Sequence, residues 1–342
     1  MKRKVTASRR ELFGYAALVW IAGLTAGYPS EAAPVTGWSV QLDPMFMAVF
    51  GNDIGVAAVT RISPTQTSTE GVDMEMDPDF AIRGEVQYMA DRWGFGASGF
   101  WFNPNGEVEN TQDLGGSNPL SIASSNLVLN AAPGGPNRLR YSANSELNVW
   151  SADFYGIRTL AETEESHVHM LFGVKIGDLS GEFSERGEQG IFAGGVFTPT
   201  AIHTNRANSN WDILVGPLVG VSGDARYDKH RLKGFLQQSL LLGEAAVSRR
   251  EANDTNADGV VDTTDTFDST NNCGVPVTEF GFKYLYDVTE NVALGLGGYA
   301  SVWWDAPTAP GADFSASGFA GNSLNEQTLV FIGGSASVDV KF

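Results

Sequence analysis

The fold is decided by residues 330–342, which read VFIGGSASVDVKF. Apolar or small residues alternate here with polar or small ones, so Val338, Val340 and Phe342 share one face of an extended strand. A period of two is that of a β-strand with one apolar face.

An amphipathic strand that closes on Phe342 resembles the recognition signal of bacterial outer-membrane barrels. We therefore interpret Val338, Val340 and Phe342 as a membrane-insertion signal, with the barrel-insertion machinery as a partner.

Alternation of the same kind predicts about eleven strands, with a weaker twelfth at 189–200, whereas helical periodicity is scarce. Short turns are expected at 90–93, 163–166 and 288–291. Long polar segments are expected at 103–145, 178–210, 248–276 and 305–327. This asymmetry is typical of barrels that cross an outer membrane. We predict an all-β fold: a closed antiparallel transmembrane β-barrel of about 12 strands. It would have short periplasmic turns, long extracellular loops and an outer face against outer-membrane lipid.

Aromatic residues at the ends of candidate strands fit this prediction. Barrels carry aromatic girdles at both membrane interfaces, and we expect such positions for Trp93, Trp101, Phe102, Trp150, Tyr284, Tyr286, Trp303 and Trp304. The alternative is that these side chains form the core of a soluble protein.

The N-terminal segment predicts export. Basic residues begin at Lys2, an apolar stretch covers 13–26, and small residues follow as far as Ala32. This order is that of a signal peptide. We predict a signal peptide at 1–32 and the barrel at 33–342, in the bacterial outer membrane. Residues 8–13 also resemble a twin-arginine signal, so the general secretory and twin-arginine routes both stay open.

Composition excludes several classes of protein. The chain has 22 Lys and Arg against 40 Asp and Glu, a net charge of −18. An acidic balance argues against nucleic acid as a partner, because phosphate binding needs clustered Lys and Arg. The one cysteine, Cys273, excludes an internal disulfide and any cysteine-based metal centre.

Polar residues on the opposite strand faces are predicted to line a lumen. The candidates are Arg83, Glu85, Gln87, Lys175, Lys233, Gln237, Glu279 and Lys283. Because mixed charges in a pore orient passing solutes, we predict a porin-like passive channel for small solutes. A homotrimer is one possible assembly. The alternatives are a structural or adhesive surface barrel without channel activity, and a soluble, secreted calcium-binding β-sandwich.

Catalytic motifs are scarce, and we predict that the chain is not an enzyme. A hydrolytic Ser–His pair with an orienting partner is not recognisable. His167 and His169 stand two apart on one predicted strand face, which suits a metal, although a pair at the lumen or rim is the favoured interpretation. A rim enzyme that uses Asp and His groups stays as an alternative.

One polar segment carries a metal-ligand pattern. Residues 254–265 read DTNADGVVDTTD, with oxygen-bearing side chains at positions 1, 3, 5, 9 and 12, glycine at 6 and a backbone carbonyl at 7. That is the spacing of an EF-hand-type calcium loop. The predicted ligands for Ca2+ are Asp254, Asn256, Asp258, Val260, Asp262 and Asp265. An acidic, solvated loop is the alternative. The Asp at position 12 resembles dockerin and thrombospondin type 3 loops.

The order of glycines, prolines and aromatics also resembles the Legionella-type major outer membrane protein family. The matching stretches fall within 145–342: LFGVKIG at 171–177, VGPLVGV at 215–221, GFLQQSLLLG at 234–243, EFGFKY at 279–284 and LGLGGY at 294–299. Members of that family are pore-forming barrels, so the resemblance implies a pore.

Overall fold

The computed structural model describes residues 36–50, 54–62, 67–74, 76–113, 120–123, 128–131, 135–308 and 325–342. The predicted signal peptide, 1–32, lies outside the described residues. The described ranges hold no helix long and apolar enough to cross a membrane. They form these strands: β1 Gly37–Phe50, β2 Ile54–Ile62, β3 Thr67–Met74, β4 Asp79–Ala90, β5 Trp93–Phe102, β6 Asn105–Asp113, β7 Leu120–Ala123, β8 Val128–Ala131, β9 Arg138–Glu162, β10 Ser166–Ala193, β11 Val196–Trp211, β12 Leu214–Tyr227, β13 His230–Asp254, β14 Thr263–Asp287, β15 Val292–Thr308 and β16 Asn325–Lys341.

Twelve of these strands form one antiparallel sheet, and ten of the twelve close into a ring. The ring runs β1-β4-β5-β9-β10-β12-β13-β14-β15-β16 and returns to β1. The pairing of β1 with β16, which sets Phe46 opposite Gly334, joins the first strand to the last. The pairing of β9 with β10 closes the other gap. The predicted closed antiparallel barrel is therefore confirmed.

Tight turns and both strand termini gather at one end of the ring, called here the near end. Turns at 91–92, 163–165, 228–229 and 288–291 lie there. Asp91 and Asp228 adopt positive φ angles of 59° and 54°, as a two-residue hairpin turn requires. The Phe342 amide donates to the Trp38 carbonyl over 2.9 Å, which ties the strand ends together. The opposite end is called the far end.

Large apolar side chains cover the outside of the ring toward the near end. Phe46 is 65% exposed and Leu296 71%, which would be costly in water but suits a lipid solvent. Other members of this belt are Val40, Leu42, Phe80, Phe95, Phe154, Phe172, Val219, Leu232, Phe282 and Val338. A transmembrane β-strand needs about 9–11 residues, and the strands of the ring are long enough to cross.

The prediction of interfacial positions is wrong for Phe102 and Trp303, which are fully buried inside the ring. They belong to an apolar cluster that also includes Met47, Trp211 and Phe331. Alternation along β5 and β15 turns both side chains toward the inside of the ring, where they meet other apolar side chains and not lipid. This cluster fills the far half of the barrel interior.

Four strands of the ring are much longer than a membrane requires. Strands β9, β13 and β14 have 25 residues each and β10 has 28. Their far parts, together with β6 and β11, make a wall called here the far-end sheet. At ~3.3 Å per residue and a tilt near 40°, it rises roughly 40 Å beyond the belt.

The polar segments 178–210 and 248–276, expected as loops, are therefore mostly strands in two hairpins. Their outward faces are polar, so they lack the apolar alternation that marks a membrane strand. Backbone pairing with β9 and between the hairpins orders them instead: β11 lies between β10 and β13. They continue the wall and do not fold into the lumen.

A smaller sheet, in the order β3-β2-β7-β8, packs on the inward face of the far-end sheet. Val59, Ile122 and Leu129 from the smaller sheet meet Leu139 and Phe183 from the larger one in a shared apolar cluster. The two layers form a β-sandwich at the far end of the barrel.

Candidate functional site

All eight residues predicted to line a pore lie on the inner face of the ring. Strand β4 carries Arg83, Glu85 and Gln87; β10 carries Lys175; β13 carries Lys233 and Gln237; and β14 carries Glu279 and Lys283. Alternation of side chains along each strand places them there. Most of them belong to three groups of ion pairs and hydrogen bonds. Six of them also line a cavity that opens toward the near end: Arg83, Glu85, Gln87, Lys233, Gln237 and Lys283.

The central group surrounds Lys175, which has no exposed surface. Its Nζ lies 2.7 Å from Asp153 Oδ1 and 2.9 Å from Glu279 Oε2. Gln237 donates through Nε2 to Asp153 Oδ2 over 3.0 Å and also to Glu279. Tyr299 donates its hydroxyl to Glu279 over 2.6 Å. Strands β9 and β14 are not neighbours in the ring, so these side chains span its cross-section.

A second group centres on Asp43. Lys283 Nζ lies 2.8 Å from Asp43 Oδ2, and Arg83 Nη1 lies 3.7 Å from the same oxygen. Arg83 also pairs with Glu85 at 2.8 Å, and its guanidinium stacks 4.7 Å above the Phe235 ring. Every charge in this group has an opposite partner, as buried ions require.

The third group lies nearer the turns and is built on Asp339, which is fully buried. Lys233 donates to its carboxylate, and Arg231 Nη2 approaches it to 3.5 Å. Arg231 also donates through Nε to Asp287 over 2.8 Å. Together the groups form a chain of ion pairs along the interior.

Sequence reasoning missed the carboxylates that complete these groups: Asp43, Asp153, Asp287 and Asp339. Each is a single acidic residue on the polar side of an alternating strand. The available signal was the charge balance of the predicted lining, which held four cations against the two carboxylates of Glu85 and Glu279. Buried cations need counter-ions, so further carboxylates were to be expected. Their partners across the ring could not be read from a single strand.

Beneath the central group, a cavity of about 510 Å3 opens toward the near end. Its wall includes Gln87, Tyr155, His167, His169 and Asp224. The rings of His167 and His169 stack with centroids 6.1 Å apart. Because both residues line this cavity, the predicted histidine pair lies at the rim of the lumen. We call this space the vestibule. Above it the barrel is filled by the central group and the apolar cluster.

The predicted calcium loop joins β13 to β14. Asp254 accepts hydrogen bonds from the amides of Asn256, Asp258 and Gly259 at 3.3, 3.3 and 2.9 Å. Gly259 takes a φ of 87°, the left-handed conformation that position 6 of such a loop needs. These contacts fold the first half of the loop around one carboxylate.

The second half of the loop fits the predicted ligand set less well. Asp262 accepts the Thr255 amide over 2.7 Å and the Thr255 hydroxyl, and these bonds hold the pKa of Asp262 below its ordinary value of 3.8. Glu251 pairs with Asp265 across the hairpin, so alternation turns Asp265 to the opposite face from Asp254. Within the described ranges, no group of three or more His, Cys, Asp and Glu side chains is arranged to hold a metal ion.

Comparisons with known proteins find similar folds only. No protein-family model matches the chain, and no curated protein matches it. The outer membrane protease OmpT from Escherichia coli is 12% identical, with 90% of this chain and 97% of that chain covered and a TM-score of 0.47. OprG from Pseudomonas aeruginosa is 8% identical, with 90% and 99% covered and a TM-score of 0.32. Neisserial surface protein A is 12% identical, with 90% and 98% covered and a TM-score of 0.26. These likenesses assign no function.

Proposed function

We propose that the chain is a bacterial outer-membrane barrel with a closed lumen that displays its far-end β-sandwich at the cell surface. Its role would be structural or adhesive and not enzymatic. The observation that carries this proposal is the complete burial of Lys175 between Asp153 and Glu279. Side chains from β9, β10, β13 and β14 meet at this point and occupy the part of the lumen where a column of water would run.

Barrel size supports the same proposal. Eight strands leave an interior just wide enough for side chains, whereas 16–18 strands leave an aqueous channel. A ring of ten strands is near the filled limit. The porin-like channel predicted from the sequence would need a continuous wet path, but the vestibule ends at the central group, and the apolar cluster around Trp303 follows.

Location in the outer membrane is supported by the belt and by backbone pairing. Every strand of the ring has two neighbours, so no unpaired edge faces lipid. The near end, with its tight turns, would face the periplasm and the far end the outside, as in other outer-membrane barrels.

Conductance tests this proposal. The purified, folded protein is placed in a planar bilayer, and folding is checked by the heat-dependent shift in gel mobility. We expect no conductance steps above those of detergent alone. Stable steps that scale with salt concentration would favour the porin-like channel and overturn the closed barrel.

We also propose that the 254–265 loop binds Ca2+ and that the bound ion stabilises the connection between β13 and β14. The fold of the loop around Asp254 supports this proposal, and Asn256, Asp258, the Val260 carbonyl and Asp262 are the remaining donors near it. A loop of this extracellular kind binds at about 10⁻⁴–10⁻³ M.

Calorimetry with two variants tests the calcium proposal. We expect Asp258→Ala to abolish the heat of Ca2+ binding. Asp265→Ala should weaken it much less, because its side chain lies on the other face of the hairpin. Unchanged heats in Asp258→Ala would reject the site, and loss of binding in Asp265→Ala alone would reject the ligand set.

A further inference from the structure

The hairpin of β10 and β11 ends in an uncharged apolar tip. From Gln189 to Ile202 the chain contains no charged residue, although 18% of the whole chain is charged. Ile191 is 46% exposed and Val196 64%. The tip, residues 190–197, is among the parts of the far-end sheet that lie farthest from the belt. We call it the β10–β11 tip.

The tip is narrow and held in place. Gly194 and Gly195 turn the chain with φ angles of 61° and 83°. Asn137 accepts the Phe192 amide through Oδ1 over 2.6 Å and donates through Nδ2 to the Phe192 carbonyl over 3.2 Å. The side chains are therefore presented in a fixed arrangement and lose little freedom when they bind.

Two aromatic rings of the tip are backed by arginines. Phe192 and Phe197 are directly paired across the hairpin. The Arg138 guanidinium lies 3.4 Å above the Phe192 ring and the Arg140 guanidinium 4.1 Å above Phe197. Arg138 also pairs with Asp113. The apolar residues are thus the part of the tip farthest from the belt, and the guanidinium groups lie slightly closer to the belt.

We propose that the β10–β11 tip docks on the surface of an apposed lipid bilayer, with its apolar residues among the acyl chains and the arginines at the headgroup phosphates. This inference rests on the proposed surface role of the far-end sandwich. The phenylalanine rings are wholly apolar and favour the hydrocarbon side, whereas arginine pairs an apolar stem with a charged end and favours the layer between water and hydrocarbon. The opposite charges of guanidinium and phosphate match at that depth.

The size of the tip favours lipid over a protein. A stable protein interface buries about 800 Å2 on each partner, and four apolar side chains on one hairpin offer less. A second copy of this chain would also bring its own excess of acidic residues, and like charges oppose such contact. A bilayer needs only a few inserted side chains.

Flotation tests the proposal. The full chain in lipid nanodiscs is mixed with protein-free phosphatidylcholine vesicles, and the nanodiscs that float with the vesicles are measured. The test variant is Ile191→Ser with Val196→Ser. The matched control is Val288→Ser, since Val288 is 52% exposed at a turn of the near end and belongs to neither the tip nor the calcium loop. A third variant, Arg140→Gln, tests the charge layer.

We expect the wild type to float with vesicles, the double variant to lose about tenfold in binding, Arg140→Gln to lose less, and Val288→Ser to match the wild type. Wild-type binding no greater than that of empty nanodiscs would overturn the proposal. So would a double variant that binds normally, or an equal loss in Val288→Ser. Conductance is independent of this result, so a failure here leaves the closed barrel standing.

Discussion

Replacing Lys175 with Met should destabilise the barrel strongly. The substitution keeps the volume of the side chain but removes the ammonium group that lies within 3 Å of both Asp153 and Glu279, which are buried. Removing one partner of a buried ion pair costs about 3–5 kcal/mol. Because Gln237 and Tyr299 still donate hydrogen bonds to these carboxylates, we expect a loss near the lower limit, about 3 kcal/mol.

The measurement is reversible urea unfolding of the refolded barrel in lipid vesicles, followed by tryptophan fluorescence and by gel mobility. Adding Asp153→Asn and Glu279→Gln to Lys175→Met should restore most of the stability, because neutral groups replace all three charges. Exposed Lys229 provides the control, and Lys229→Met should change stability by less than about 0.5 kcal/mol. A loss below about 1 kcal/mol in Lys175→Met would refute the reasoning, since it would mean that water reaches the central group.

Three further results are expected. Trp303→Ala should cost about 3–5 kcal/mol in the same unfolding assay, because the ring is fully buried and leaves a cavity; a smaller loss would mean that the far half of the interior is loosely packed. Gly216→Ala should block barrel assembly, since a Cβ there would collide with the backbone of the next strand, whereas Gly84→Ala meets nothing within 4 Å and should assemble; equal mobility shifts on gels would contradict this. Thr255→Ala should raise the pKa of Asp262 toward 3.8, as measured by NMR. A carboxylate whose pKa is lowered on folding stabilises the loop above its unfolded pKa. This contribution to stability is lost as the pH falls through the pKa of the folded state. If the titration of Asp262 is the same in Thr255→Ala, the hydrogen bonds are absent in solution.

Sequence patterns predicted the features that depend on one strand alone, such as which side chains share a face. Alternation separated the apolar face that carries Val338 from the polar faces that carry residues such as Arg83, because the period of two follows from backbone geometry. It could not show that Arg83 meets Asp43, which lies on the neighbouring strand, or that Lys175 meets Glu279 from across the ring. Those contacts depend on register and on the number of strands.

The far-end hairpins show a second limit. Strand prediction relied on one apolar face, which exists where a strand borders lipid or core. At Arg206 and Arg250 the strands pair directly, yet their outward face is polar. The same limit explains Trp303, since an aromatic near a strand end is interfacial only if the strand ends at the membrane surface.

The pairing of β1 with β16 has a consequence for the order of assembly. This ladder unites the two strands that are farthest apart along the chain, from Ser39 with Lys341 to Phe50 with Val330. All other neighbours in the ring can pair while these two edges are still open. The entropic cost of such a long closure is modest, at about 0.6 kcal/mol per doubling of loop length. The risk lies in how long the barrel stays open, because its two unpaired edge strands can pair with other chains during that time. Closure of this one seam is therefore the step that removes the last unpaired edges of the ring.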